Sequence, residues 1–385
     1  MALTGRRDGP PLGPPVALLP MLDRLSARLG VDAYALLGER AGLLGLTRNG
    51  DVSCGGATRL LPTALRATGP TPMQGTGTGP TPTRGRGTGR DWVAVSMARP
   101  SDWELVPAWL APDVATSWDE IAAVVATRPA GELVQRGALL GLPIARLGES
   151  THPGSGDEKS SNHPHFLDMW RDLEGAGRIA GVTAHPVAGR LSPTRPENAV
   201  VVDLSALWAG PLCARLLHGH GARVITVESA ARPDGARRTP EFYERLYSGH
   251  ESVVLDLSTP SGLAEMHALV RAADVVIEAS RPRALRQLGV VAEEVGAKIW
   301  VSITGHGRDV NRVAFGDDAA VAGGLVVYDD RGPCFVADAV ADPLTGMVAA
   351  VGVLDLLPLP GAWLLDVPMA AVAAAAGAAT LRRSA

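Results

Sequence analysis

The chain has 385 residues, enough for two domains that each enclose a core, and its 46% hydrophobic and 20% charged residues are the balance of a soluble globular protein. A net charge of −4 and a pI near 6.2 leave no bulk attraction to nucleic acid or to acidic membranes. Cys54, Cys213 and Cys334 lie far apart and in no CxxC spacing, so they read as reduced thiols of a cytoplasmic protein, not a disulfide frame or a zinc site.

The opening "MALTGRRDGPPLGPP" lacks the apolar core of a signal peptide, and its Pro and Gly predict a disordered stretch over 1–15. No apolar run reaches the length of about 18 residues that would span a membrane. Residues 16–148 read as a smaller α+β domain. Its leucines recur at helical spacing from Val16 to Leu46, with a break at Gly30. In residues 68–89 a unit beginning TGPTP occurs twice with almost nothing to bury, which predicts a flexible insertion. "DWVAVSMA" alternates as a strand, and helices are expected to start at Ser101 and Ser117. Residues 149–196 read as a linker. Its His152, His163 and His165 have no cysteine nearby and sit among Pro and Ser, so no metal is expected.

From residue 197 to 385 the texture changes. "AVVVDLSA", "ARVITVES", "ESVVLDL", "DVVIEAS" and "AKIWVSITG" are strands separated by helical stretches. That alternation predicts an α/β, Rossmann-like parallel sheet with helices on both faces. Ligands of such sheets sit beyond the carboxyl ends of the strands, which directs attention to the loops after Leu204, Glu228, Glu278 and Thr304. Ala209, Gly210 and Pro211 open a helix where small residues allow a ligand to approach backbone N–H groups, or simply make a tight turn. There is no GxGxxG. Arg232, Arg237 and Arg238 follow one strand and Arg281 and Arg283 another, where they serve either a phosphorylated ligand or a solvated rim. Further on, "FVADAVADPLTGM" sets Asp338 and Asp342 four residues apart, with Pro343 suited to a helix start. Asp342 is then a helix N-cap or a carboxylate held at a helix N-terminus for chemistry.

Four blocks decide how these candidates are weighed. "VVDLSALWAGPLCARLLHGHGARVITVE", "SVVLDLSTPSGLAEMHALVRAADVVIEASRPRALRQLG", "VSITGHG" and "ADPLTGMVAAVGVLDLL" together resemble the family III CoA-transferases, the group of formyl-CoA transferase, carnitine CoA-transferase and α-methylacyl-CoA racemase. "GLLGLTRNGDVSCGGATRLLPT", "DWVAVSMARPSDWELVPAWL" and "GELVQRGALLGLPIARLGE" resemble that family's small domain, here placed before the large one. The order is that of a tandem joined back half to front half, or of a circular permutation.

The resemblance implies that CoA moves between an acyl-CoA and a carboxylic acid acceptor. Asp342 would be the nucleophile, passing through anhydride and thioester intermediates. A helix N-terminus favours the ionised carboxylate that this needs, and Asp338 supports the turn. Ala209, Gly210, Pro211, Arg232, Arg237 and Arg281 become candidate CoA contacts. CoA is a substrate here, no cofactor is bound permanently, and no metal is implied. The family's interlocked dimers imply a homodimer or a hetero-oligomer with a related subunit. A racemase or isomerase is the alternative, but Asp317 stands where a racemase keeps histidine, so one base is missing. A catalytically silent CoA-binding or structural remnant is the other. His250 replaces the family's lysine, Ala279-Ser280 its Asn-Phe and Gln287 a basic residue, while Gly55-Gly56 lie near its glycine loop.

Overall fold

A computed structural model describes residues 3–65, 90–111, 117–150, 181–280 and 282–382. Two helices come first, α1 (Leu18–Leu29) and α2 (Ala33–Leu43), divided at Gly30 as the sequence predicts. Asp32 caps α2 by accepting the Ala35 N–H at 3.0 Å. Leu18, Leu22, Leu25 and Leu29 form one buried stripe. That stripe joins the core of the large sheet, not that of a small domain. The expected boundary at residue 16 is therefore corrected: helical spacing reveals the stripe but not its partner.

Next come β1 (Thr58–Leu65), β2 (Arg90–Ser96), α3 (Pro100–Glu104), α4 (Val106–Trp109), α5 (Trp118–Val125), α6 (Ala130–Leu140) and β3 (Ile144–Arg146). The three strands form an antiparallel sheet in the order β1–β2–β3. Its helices bury Val93, Val95, Trp109, Ile121, Leu133 and Ile144 in a core of their own. Ser117 caps α5, whereas Arg99 holds the cap position of α3, two residues ahead of the expected Ser101. The insertion at 68–89 and His152, His163 and His165 lie outside the described residues.

The remaining elements are β4 (Thr183–Val187), β5 (Val200–Asp203), α7 (Ala209–Gly219), β6 (Arg223–Ser229), α8 (Pro240–Tyr247), β7 (Glu251–Leu255), α9 (Pro260–Ala272), β8 (Val275–Glu278), α10 (Pro282–Gln287), β9 (Ile299–Thr304), α11 (Gly316–Ala322), β10 (Val326–Asp329), β11 (Gly332–Phe335), α12 (Ala341–Leu356), β12 (Ala362–Pro368) and α13 (Met369–Arg382). Seven strands make one sheet in the order β4–β12–β9–β8–β5–β6–β7. All its pairings are parallel except β4 with β12. Alternation along β5 sends Val201 to one core and Val202 to the other. Helices α1, α2, α7 and α12 cover the first face, and α9 and α10 the second, so the expected α/β sheet with helices on both faces is present together with the small antiparallel sheet. Residues 183–187, expected within a linker, pair instead with β12.

The opening segment also departs from expectation. Thr4 is buried, Arg6 pairs with Asp51 at 2.6 Å and Asp329 at 2.8 Å, and Arg48 donates to the Arg6 and Gly9 carbonyls. Proline and glycine predict disorder because they offer little to bury. Here two arginines supply polar anchors in its place.

Candidate active site

The loop after β5 is held by acids. Asp203 accepts the Ser205 N–H at 2.9 Å and the Ser205 hydroxyl, and its Oδ2 is buried with no partner. Burial pushes this carboxyl up to about 6, against the Ser205 hydrogen bonds. Asp234 accepts N–H groups from Leu207 at 3.0 Å and Ala236 at 2.9 Å, which holds Leu207 at φ 72°. Ala209, Gly210 and Pro211 open α7 and are all buried. A Cβ on Gly210 would clash with the Ser205 side chain, and where α7 crosses α12 a Cβ on Gly346 would lie 2.5 Å from the Ala209 carbonyl. That crossing carries the start of α12 to the carboxyl end of β5.

The expected arginines have separate fates. Arg237 donates through Nε at 2.9 Å and Nη2 at 2.6 Å to Glu228, and its guanidinium lies 4.4 Å from the centre of the Tyr243 ring. It is thus already engaged by a carboxylate. Arg232 is exposed and makes no side-chain pair among the described residues. Arg281 lies outside them. Beyond β8 and β9, Glu278 accepts from Trp300 Nε1, Ser302 Oγ and Arg308 Nη1 at 2.9–3.0 Å, tying two strand ends together.

Asp342 is the second residue of α12, and Val340 is the residue at the cap position. The expected N-cap role is corrected: the Asp342 N–H donates to the Ala339 carbonyl at 2.9 Å, already within the helical path. Ahead of it runs a strained turn, with Ala337 at φ 53° and Ala339 at φ 42°. Four side chains hold that turn. Thr4 Oγ1 accepts the Ala337 N–H at 3.3 Å, and Cys54 Sγ–H donates to the Ala337 carbonyl at 3.2 Å. Arg40 Nη1 donates to both oxygens of Asp338, at 2.8 and 2.7 Å. Asp317 Oδ1 accepts the Ala339 N–H at 3.1 Å. Three of the four come from the first 54 residues, so the turn is completed within one chain.

The Asp342 carboxyl is half-buried and lies against Gly316, where a Cβ would stand 2.5 Å from its Oδ2 and nearer still to the Ala339 carbonyl. Asp317 and Asp318 follow at once on α11. Burial first, and Asp317 next, push Asp342 up to about 7; Arg40 opposes them, and Asp318 and Asp338 add to the rise. Burial likewise raises Asp318 to about 7 and Asp317 to about 6. The helix end therefore does not settle Asp342 as an anion, because desolvation and like charges outweigh it. Asp318 accepts from Ser96 Oγ at 2.8 Å and the Phe315 N–H at 3.0 Å, and its Oδ2 has no partner. Chemically, this is a set of carboxyls whose hold on their protons burial strengthens, beside one guanidinium.

Sequence reasoning missed Thr4 and Arg40, which stand in no motif, and read Cys54 only as a reduced thiol although it precedes the Gly55-Gly56 pair. Asp318 had a signal in the acidic pair of "AFGDDAAVAGG". Among the described residues no cluster of His, Cys, Asp and Glu suits a metal ion, and no helix is long and apolar enough to cross a membrane.

Residues 197–357 match the family model described as CoA-transferase family III. This segment belongs to CoA-transferase family III. The chain is similar to a succinyl-CoA–D-citramalate CoA-transferase of Chloroflexus aurantiacus, 32% identical over 187 residues, covering 43% of this chain and 46% of the relative. It is also similar to a succinate–glutarate CoA-transferase of Agrobacterium fabrum, 32% identical over 171 residues with 38% and 43% covered. A formyl-CoA:oxalate CoA-transferase of Escherichia coli is 30% identical over 175 residues with 41% and 42% covered. The chain thus spans less than half the length of the curated relatives it matches. Among solved structures, a CAIB/BAIF family protein of Brucella suis aligns at a TM-score of 0.43 and 24% identity, over 48% of this chain and 55% of that one. The family III segment contains both the β5 loop and Asp342.

Proposed function

We propose that this protein moves coenzyme A from an acyl-CoA to a small carboxylic acid, with Asp342 as the nucleophile. The observation that carries the reading is the placement of Asp342, half-buried at the start of α12 beside Arg40, inside the segment that matches the family. Its carboxylate attacks the thioester carbonyl, and the C–S bond breaks to give a mixed anhydride and CoA thiolate. The thiolate attacks the aspartyl carbonyl, releasing the donor acid and leaving an aspartyl thioester. The acceptor carboxylate then expels the thiolate to form a second anhydride. Thiolate attack on the acceptor's carbonyl completes the exchange and restores Asp342, with no net proton taken up.

CoA and its acyl ester are substrates in this reading, and no permanent cofactor is needed. Among the described residues, the exposed Arg232 after β6 is a contact available for the nucleotide portion. The reading includes a cytoplasmic enzyme that pairs with a second copy or a related subunit. One observation favours a second reading, racemisation or isomerisation at the acyl α-carbon: Asp317 lies close enough to raise the Asp342 carboxyl, so two acid–base groups share the site.

The test is incubation with succinyl-CoA and hydroxylamine, followed by peptide mass spectrometry. Conversion of Asp342 to its hydroxamate supports transfer, because only an activated aspartyl carbonyl is trapped. An Asp342→Asn variant that still transfers CoA sinks the mechanism. Deuterium entering the α-carbon in heavy water, without trapping, selects the second reading.

A further inference from the structure

Arg40 uses only part of its guanidinium on Asp338. Both contacts leave from one nitrogen, Nη1, and no partner among the described residues meets Nε–H or Nη2. The group lies 5.7 Å from the centre of the Trp208 ring, which steadies its plane. Its free edge opens onto the Gly55-Gly56 turn. A Cβ on Gly55 would stand 3.6 Å from Nη2, nothing lies within 4 Å of one on Gly56, and both glycines are exposed. The Arg40 side chain keeps 28% of its surface.

The Nε/Nη2 edge of a guanidinium is a fork that matches the two oxygens of a carboxylate. The other charged groups that act on Asp342 are the carboxyls of Asp317, Asp318 and Asp338. An organic acid arriving at Asp342 meets their repulsion, and Arg40 is the cation that offsets it.

We propose that the free Nε/Nη2 edge of Arg40 is the seat of the organic carboxylate exchanged at Asp342, held by two parallel N–H···O bonds. The proposal rests on the reading of Asp342 as the nucleophile. It identifies the ligand as a carboxylic acid anion and Arg40 as the group that orients it.

The experiment is an NMR titration of the full chain, 15N-labelled, with sodium acetate as the minimal carboxylate. The Arg40 Nε–H signal is identified by its loss in Arg40→Lys, and saturation transfer to the acetate methyl is followed in parallel. The expected result is a saturable acetate-dependent shift of that signal, absent with sodium chloride at equal ionic strength. Arg40→Lys, which keeps the charge opposite Asp338 but loses the fork, should bind acetate at least tenfold more weakly. No saturable shift and no saturation transfer, or an equal response to chloride, overturns the proposal. Should Arg40→Lys not fold, through-bond correlation along the Arg40 side chain identifies the signal instead, and the wild-type titrations with acetate and chloride still decide. Acetate failing to bind while Asp342 is still trapped as the hydroxamate rejects the Arg40 seat alone. Acetate binding without trapping rejects the nucleophile and leaves the carboxylate seat.

Discussion

Arg40 grips both oxygens of Asp338 from 298 positions earlier in the chain. The contact joins the second helix of the protein to the turn that presents Asp342. Asp338 is buried, so Asp338→Asn leaves a guanidinium that has lost its counter-charge in a mostly enclosed place. The expected cost is about 2 kcal/mol, below that of a fully buried pair because Arg40 is partly open to water. Urea unfolding of the variant checks it, and an unchanged midpoint counts against the grip.

Asp342→Asn is expected to change stability in a pH-dependent way. The folded carboxyl sits near 7 instead of near 3.8, so the native state keeps a proton that the unfolded chain releases between those values. Wild-type stability from this group is full below about 4 and is lost as pH rises through 7. Asparagine does not titrate, so the variant should gain on wild type by about 2–3 kcal/mol between pH 5 and pH 8. Comparing the two proteins cancels His250 and His306, which burial lowers to about 4 and 3 and which act in the opposite direction. A difference that stays flat with pH contradicts the assignment.

Gly316→Ala places a methyl group against the Ala339 carbonyl and Asp342 Oδ2. Neither can retreat without disturbing the strained turn, so the expected cost is about 1–3 kcal/mol. Transfer activity should fall at least tenfold even where the variant remains folded at the assay temperature. Thermal melts beside initial rates separate the two effects.

Residues 66–89 connect partners across a hairpin, because Leu65 pairs with Arg90 on β1 and β2. Replacing them with Asn-Gly, a turn suited to a two-residue connection, should change stability by no more than about 0.5 kcal/mol. A melting temperature far below that of the full chain shows that the segment contributes to the fold.

How much of this was legible in the sequence depends on distance along the chain. Val200–Asp203 and Ile299–Thr304 announce buried strands because short runs rich in β-branched and aromatic residues serve two buried faces at once. Gly30 and Ser117 mark helix ends through local backbone chemistry, which acts over a few residues. Asp342 is recognisable from the block around it. Arg40 is not: its partner comes from a crossing of helices that no local pattern encodes. The charge state of Asp342 was misjudged for a related reason. The helix end is visible in sequence, whereas the packing of Asp317 and Asp318 against it arises only when α11 meets α12.

The union of α1 with α12 has a consequence for how the protein is made. During synthesis α1 leaves the ribosome well before α12, so Leu22 and Leu25 stay uncovered while the whole stretch between the two helices is made. The small antiparallel sheet can close while translation continues, because its strands and helices are contiguous. The two opening helices must wait. Their sticky face stays uncovered until α12 is made, and an intermediate that lacks α12 exposes apolar surface that favours aggregation.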